Sequence, residues 1–518
     1  MLDAAREDLR SLEPGRPCAA ELLLLIAQWV DVGYRDDSLL DTLLQKFTLE
    51  WKRKLSIDDY LRVRMAEAFH ALYLEEVDSA IQIIDFVLKA EAEFADRHLV
   101  ILAHFWKGRA HRKKGEYEAA LQDIVQARQL AQTCDDCRIL AAVIQIQECW
   151  LLFQRGSTKD ALRLLAHAEG VLKLTDHHLA LGNIESARGR IVRRSGEYAK
   201  ALEHFERAVA IYSQGDPNHR NIARTLVNAS HVKRLLALQL HRKIDAQARK
   251  QSQTKAGTPP KSSQTIQGNL RVRYQQLCNE AMLQLRRAKE IYSLHGHSSG
   301  LGAVLFNEGY LYLDRGEIDA AAVVAGDAYR IGVEKSDHIL MARARILQAS
   351  VENARVEEQL GEDVDTALHA TEARTYCDEA LGLARQTQNR RLLAAAYIAC
   401  GMTAANEFFQ DWETAKRCAS EAADLIGAGE NDHLLDELAT LKSHIIQSSG
   451  IHDTLRGWSE GMVGDKTFQQ INEEFAEIVI PKVWMREEKK ISRVAECLSI
   501  SPKKVRRILR NAGYLDVL

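Results

Sequence analysis

A chain of 518 residues with 46% hydrophobic and 27% charged residues has the balance of an ordinary water-soluble, core-forming protein, which excludes a disordered or fibrous polymer. Its formal net charge of -3 excludes a chain that is basic throughout, so any nucleic-acid contact has to come from a local cluster. Seven prolines stand against an abundance of Ala, Leu, Arg and Glu, residues that lose little side-chain freedom in a helix, and helix is favoured along the whole chain.

In chain order, Met1–Arg16 is polar and lacks the layout of a signal peptide. The apolar run Leu22–Val32 falls well short of the about 20 residues that span a bilayer. A cytoplasmic protein with reduced thiols and no membrane partner is expected. Residues 1–100 read as divergent helical repeats, Ala20–Val32 with Asp37–Lys52 and then Leu61–Leu74 with Val77–Ala90. Nine cysteines are scattered, and Cys149, Cys400 and Cys497 fall where a helix would bury them. Cys134 and Cys137 form a lone C-x-x-C. No second C-x-x-C or paired His completes four ligands and no βαβ pattern surrounds it, so the pair reads as two small apolar residues at an interhelical turn rather than half a zinc site or a redox pair. No metal and no other cofactor is expected.

Residues 101–449 are organised by a repeated phrase: Lys114-Gly115-Glu116-Tyr117-Glu118-Ala119-Ala120-Leu121, Ser195-Gly196-Glu197-Tyr198-Ala199-Lys200-Ala201-Leu202 and Arg315-Gly316-Glu317-Ile318-Asp319-Ala320-Ala321. A Gly lies seven residues earlier in each (Gly108, Gly189, Gly309), and an Ala seven residues after the second-helix Ala (Ala127, Ala208, Ala328). In these residues the sequence resembles the tetratricopeptide-repeat family, whose unit is two antiparallel helices with small residues where they cross. The physics agrees: the Gly before Glu-Tyr tolerates the left-handed conformation that ends a helix. The earlier Gly permits close approach, alanines seven apart share one helix face, and Tyr117 and Tyr198 fill the wedge to the next repeat. Weaker copies are Leu140–Gln154 with Gly156–Ala168 and Leu392–Phe409 with Asp411–Ala423. The expected fold is therefore all-α, an α-solenoid of antiparallel helix pairs.

Within one pair, between Asn221–Arg242 and Cys278–Leu294, lies a polar insertion, 243–268, whose composition argues for disorder. It reads as a tolerated solvent loop or a mobile binding loop, and it lacks the Gly-Lys of a phosphate loop.

The repeats give out near Ser449. A Gly-containing linker at 450–466 leads to helical spacing in Phe468, Ile471, Phe475, Ile478 and Val479. The stretch Ile491–Tyr514 resembles the Fis-type helix-turn-helix found at the C-termini of bacterial enhancer-binding activators. Ala495 is small at the helix crossing, and Leu498, Ile500, Val505 and Leu509 form a little core. Ser501 caps and Pro502 opens the second helix, which stops at Gly513. This chain has Ser499 where the family has Gly, Lys489-Lys490 where it has Gly-Asn, and Pro481, which would kink or start a helix. The resemblance covers about the last 50 residues, 467–518, the size of such modules. It implies a recognition helix presenting Lys503, Lys504, Arg506, Arg507 and Arg510, with Arg493 beside it, to DNA. From Arg486 to Tyr514 nine basic residues oppose three acidic ones, a net of +6, the electrostatic footprint of such a contact. The alternative is a basic helical pair that caps the solenoid or binds protein. Residues 468–479 are the candidate seam of a homodimer.

In the tetratricopeptide family the first helix of each pair lines the concave face. That register places Arg109, Arg112 and Lys113, then Arg190, Arg193 and Arg194, then Lys233 and Arg234 along one groove, where they suit an acidic peptide, a carboxylate terminus or a phosphorylated ligand. Asn183 and Asn307 could hydrogen-bond an extended backbone, and Trp150 with Phe153 could anchor an apolar side chain. No G-x-S-x-G, H-E-x-x-H or dinucleotide fingerprint is present, so no catalytic residue is expected. His177-His178 and His295-Gly296-His297 read as surface histidines. Two functions follow: a transcriptional regulator that binds a peptide or protein in the groove and DNA at its tail, or a non-catalytic scaffold in a signalling or defence assembly.

Overall fold

The computed structural model describes residues 10–32, 37–90, 96–253, 261–358, 365–427, 430–448, 458, 464, 466–511 and 514–515. Among these residues every regular element is a helix, and none is long and apolar enough to cross a membrane. The chain divides into two compact units, Met1–Leu441 and Lys442–Leu518.

The first unit opens with α1 (Ala19–Val32), α2 (Asp37–Lys46) and the single turn α3 (Leu49–Lys52). Antiparallel pairs follow: α4 (Ile57–Tyr73) with α5 (Val77–Lys89), α6 (Arg97–Lys114) with α7 (Tyr117–Gln132), and α8 (Arg138–Gln154) with α9 (Thr158–Leu172). Then come α10 (His178–Arg194) with α11 (Tyr198–Gly215), α12 (Arg220–Gln253) with α13 (Lys261–Leu294), and α14 (Ser298–Asp314) with α15 (Ile318–Glu334). The series ends with α16 (His338–Glu358) and α17 (Asp365–Arg385), α18 (Arg390–Ala404) and α19 (Trp412–Leu425), and α20 (His433–Ser448). Each helix pair packs on the next, and the core runs through the stack as a series of clusters, one of them reaching from Leu12 to Leu151, the geometry that lets repeats bury faces they could not bury alone.

Small residues set the spacing. A Cβ at Gly189 would stand 2.6 Å from the ring of Phe205 on α11. Ala120 and Ala127, like Ala201 and Ala208, are fully buried. Tyr117 is buried and meets Trp150 of the following pair edge-on, with ring centroids 5.3 Å apart, which is the wedge the sequence predicts.

The polar insertion differs from expectation. Helices α12 and α13 each run for 34 residues and carry helix through 243–253 and 261–268; residues 254–260 lie outside the described ones. Lys, Arg, Gln and Ala extend a helix that is already nucleated at little cost even without a core to bury. Cys149 and Cys400 are buried as expected, but Cys497 is exposed. Cys134 and Cys137, expected to be reduced packing residues, are joined as a disulfide. The one-turn helix Asp135–Cys137 brings their Cα atoms to 5.3 Å, within bridging range.

The stack closes on itself. Turns inside early pairs meet turns between later pairs. The Gln388 amide donates to the Gly115 carbonyl (2.9 Å), and the Glu118 amide donates to the Gln388 side chain (2.7 Å). Arg390 Nε donates to the Gln154 carbonyl (3.2 Å), and the Asn431 amide to the Arg194 carbonyl (2.8 Å). At the other end Lys335 Nζ donates to the Leu74 carbonyl (3.1 Å). Glu75 occupies the position of the turn glycine, with φ of +64°. Its carboxylate accepts from the Ser299 amide at 3.2 Å, at the start of α14, where the unpaired amides of a helix N-terminus favour negative charge. His295 and His297, expected at the surface, are drawn into this seam. His295 is buried against the Asn218 carbonyl (2.9 Å), and His297 caps α14 by accepting from the Gly300 amide (2.9 Å).

The second unit holds α21 (Phe468–Arg486), α22 (Ile491–Cys497) and α23 (Pro502–Asn511) around Ile480, Trp484, Val494, Val505, Ile508 and Leu509. Thr467 caps α21 with a capping box. Pro481 lies buried inside α21, which runs as one helix across it rather than starting there. Most of the expected linker 450–466 lies outside the described residues.

Candidate functional site

The candidate site gathers residues from the first helices of three pairs. Arg112 on α6, Arg190 on α10 and Arg224 on α12 come close enough to repel one another. Burial, followed by the charges of Arg109, Arg224 and Arg190, pushes Arg112 down to about 9. Burial and then Arg224 push Arg190 down to about 10. Among the described residues no carboxylate lies within ion-pair distance of Arg112, Arg190 or Arg224. The Nε atoms of Arg112 and Arg224 are buried without an acceptor. Like charges gathered in a low-dielectric setting with no counter-ion oppose folding, which makes the cluster the candidate site.

Neighbouring arginines meet acceptors, carboxylates for Arg390 and Arg391 and carbonyl or amide oxygens for Arg193 and Arg194. Arg194 is buried, donates to the Phe153 carbonyl (3.2 Å) and the Gln154 side chain (2.8 Å), and lies 3.8 Å from Glu430. Arg390 and Arg391 both pair with Glu430, and Arg391 also with Asp432 at 2.5 Å. Arg193 donates to Asn228 at 3.4 Å and feels the Asp432 charge; burial holds it down at about 10. Arg194 is thus a seam residue rather than part of a ligand groove.

Other expected groove residues are also reassigned. Lys233 pairs with Glu280 of α13 at 2.6 Å, because the α12 register turns it towards the partner helix. Arg234 is buried and forked onto Asp314 at 2.5 and 2.9 Å, over the ring of Tyr310. Asn183 already accepts from Tyr212 Oη (2.8 Å) and Arg224 (2.9 Å), so it orients Arg224 instead of offering a backbone contact. Asn307 is buried and donates to the Ala303 carbonyl of its own helix. Trp150 is half-buried with Arg112 at 5.0 Å from its ring, and Arg109 stacks 3.6 Å over Trp106, contacts of the cation–π kind. Lys113 is exposed and lies near Glu75 and His297. Phe153 is buried beneath Arg194.

Arg224 is not legible from the repeated phrase. Its signal is spacing: Arg220, Arg224, His231 and Arg234 fall on one stripe of α12. His231 and His433 stack edge-on at 5.0 Å. Burial, with surrounding arginines, holds both well below the usual imidazole value, so both are neutral. Burial raises Glu437 to about 7 despite Arg234.

In the second unit Lys503, Lys504, Arg506, Arg507, Arg510 and Arg493 are all exposed. They separate into two rows. Lys504 and Arg507 border a groove with Glu473 and Glu477 of α21, with Arg507 3.6 Å from Glu473. Lys503, Arg506 and Arg510 form the other row, with no ion pair among the described residues. Arg493 lies 3.4 Å from Glu488. Ser501 accepts from the Lys504 amide (3.2 Å) as the cap of α23, and Ser499, in the turn before it, takes φ of +51°.

A tetratricopeptide-repeat family model matches residues 180–242, which span α10, α11 and the first part of α12. Among solved structures the chain is similar to the apo form of RapI (14% identity, 78% of this chain and 97% of that one, TM-score 0.41). It is also similar to a Rap protein complexed with competence and sporulation factor (12% identity, 78% and 99%, TM-score 0.46). A monomeric IFIT1 mutant with Gppp-AAAA gives 11% identity over 75% and 77%, with a TM-score of 0.43. No curated protein matches the sequence. The repeat signature and the stacked helix pairs make the first unit a tetratricopeptide-type α-solenoid.

Proposed function

We propose that the chain is a non-catalytic regulator whose solenoid binds an anionic peptide or protein on its inner face and whose C-terminal unit binds DNA as a Fis-type helix-turn-helix. The observation that carries the reading is a contrast of charge. Among the described residues Arg112, Arg190 and Arg224 have no carboxylate within ion-pair distance, while Arg234, Arg390 and Arg391 are paired with Asp314 and Glu430. On α23, a chain of net charge -3 sets out the exposed row Lys503, Arg506 and Arg510. The first arrangement suits an acidic ligand and the second a phosphate backbone.

A second reading, a scaffold whose tail binds protein, is favoured by exposed aromatic side chains on α21, with Phe468 79% and Phe475 48% accessible. Binding of a labelled random-sequence duplex by the full chain separates the two. A steep decline of affinity with salt, abolished by Lys503→Glu with Arg506→Glu, supports the regulator. Absence of duplex binding, or binding unchanged in the variant, leaves the scaffold.

A further inference from the structure

We infer that Arg112, Arg190 and Arg224 form a discrete subsite for a phosphoryl group, the anionic anchor of whatever the solenoid takes up; the inference rests on the inner face being the ligand face. The three side chains come from three first helices, α6, α10 and α12, so only the assembled solenoid brings them together. The same fold answers Arg234 with Asp314, and Arg390 and Arg391 with Glu430, and it gives Arg193 the Asn228 side chain and the charge of Asp432. Among the described residues Arg112, Arg190 and Arg224 have no carboxylate within ion-pair distance, and an outside anion supplies the counter-charge.

The chemistry selects the anion. A single carboxylate satisfies one or two guanidinium groups, whereas a phosphoryl group offers three terminal oxygens and a charge near two, matching the three guanidinium groups in number. The arginines are also held in place. Arg224 donates to Asn183 at 2.9 Å, Asn183 in turn accepts from Tyr212 at 2.8 Å, and Arg190 Nε donates to the Ser186 carbonyl at 3.3 Å. Arg112 lies 5.0 Å from the Trp150 ring, which offers a reporter beside the site. Asn183 is a positioning residue here, since it acts through Arg224.

The test uses the full chain and three probes: inorganic pyrophosphate, a phosphoserine peptide and the same peptide carrying glutamate. Calorimetry and the melting temperature are read, with Trp150→Phe identifying the fluorescence change that belongs to the site. Saturable binding of pyrophosphate is expected, weakened at least tenfold by Arg112→Gln, Arg190→Gln or Arg224→Gln and untouched by Arg163→Gln, an 80% exposed arginine on α9. In the absence of anion the three variants should melt at or above the parent temperature, because mutual repulsion is relieved; arginines with a purely structural role would lower it. Arg190→Lys keeps the charge but loses the fork and should bind with intermediate strength, which covers the case of a Gln variant that fails to fold. Binding of the phosphopeptide but not pyrophosphate places the group on a peptide; binding of both points to free phosphate as a sufficient ligand. No saturable binding of pyrophosphate or phosphopeptide, or equal binding by all variants, overturns the subsite. Capture of the glutamate peptide alone overturns it too, yet leaves the ligand face standing.

Discussion

The backbone amide of Asn431 donates to the carbonyl of Arg194 at 2.8 Å, and the Asn431 carbonyl oxygen sits where a Cβ on Gly196 would have to go. Gly196 therefore carries two constraints, a φ of +81° that ends α10 and a close approach from the far side of the closed stack. Gly316 has a similar φ, +75°, but no atom within 4 Å of its Cβ position. Substituting Gly316→Ala should cost about 1 kcal/mol, the left-handed penalty alone. Gly196→Ala should cost more, about 2–4 kcal/mol, because the seam must also shift. Urea denaturation of the two variants measures the difference, and equal losses would mean the seam contributes nothing to stability.

Arg234 and Asp314 make a second, separable contribution. Arg234 is buried, Asp314 is largely so, and the contact is bidentate, so removing one charge strands the other. Asp314→Asn should destabilise by about 3–5 kcal/mol, whereas Arg234→Met with Asp314→Leu should recover much of that loss. Equilibrium unfolding of the single and double variants checks it. A double variant as unstable as the single would mean that the site tolerates no apolar replacement.

Much of this fold is legible in the sequence because spacing is local. The Gly-Glu-Tyr phrase, the glycine seven residues before it and the alanines seven apart mark turns and crossings that depend on neighbours within one pair. The seam is not legible in that way. Gly115 and Gln388 are 273 positions apart, and nothing in the repeat period says which later turn meets which earlier one. Glu75 shows the same limit: it stands at the turn-glycine position, yet its reason for being a glutamate, Ser299 on α14, is remote. Register explains the reassigned groove residues. A shift of one residue on α12 separates Lys233, which faces α13, from Arg234, which faces Asp314. The sequence shows a basic stripe, and only tertiary structure sorts the members paired with carboxylates, such as Lys233 and Arg234, from the rest.

Glu437 gives a pH signature with a definite sign. Burial raises its carboxyl to about 7, against an ordinary 4.5. The folded state then binds more protons than the unfolded state between those values, so stability is full below 4.5, falls as pH rises to 7 and levels off above it. Glu437→Gln should raise the melting temperature by several degrees at pH 8 and leave it nearly unchanged at pH 4.5. His231 and His433 act in the opposite sense. Burial depresses both, so the stability they contribute is present above the ordinary imidazole value of 6.5 and is lost as pH falls. Melting curves of parent and variant across pH 4 to 8 check both; a Gln variant less stable at pH 8 would show that Glu437 is charged and well paired.

The two basic rows of α23 should not be equivalent towards DNA. Arg507 is 3.6 Å from Glu473, and Lys504 shares a groove with Glu473 and Glu477, so part of their charge is already answered within the unit. Lys503, Arg506 and Arg510 have no such partner among the described residues. If each free cation neutralises one phosphate, removing Lys503 and Arg506 should lower the slope of log affinity against log salt by about 2. Removing Lys504 and Arg507 should lower it less and should also expose Glu473 to the ligand. Neutral replacements, Lys503→Gln with Arg506→Gln against Lys504→Gln with Arg507→Gln, keep helix propensity and separate charge loss from repulsion. Duplex titrations at several salt concentrations read both slopes. Equal slopes for the two pairs would mean that the Glu473 contact opens on binding, and a larger loss for Lys504 and Arg507 would make the α21 side the DNA face.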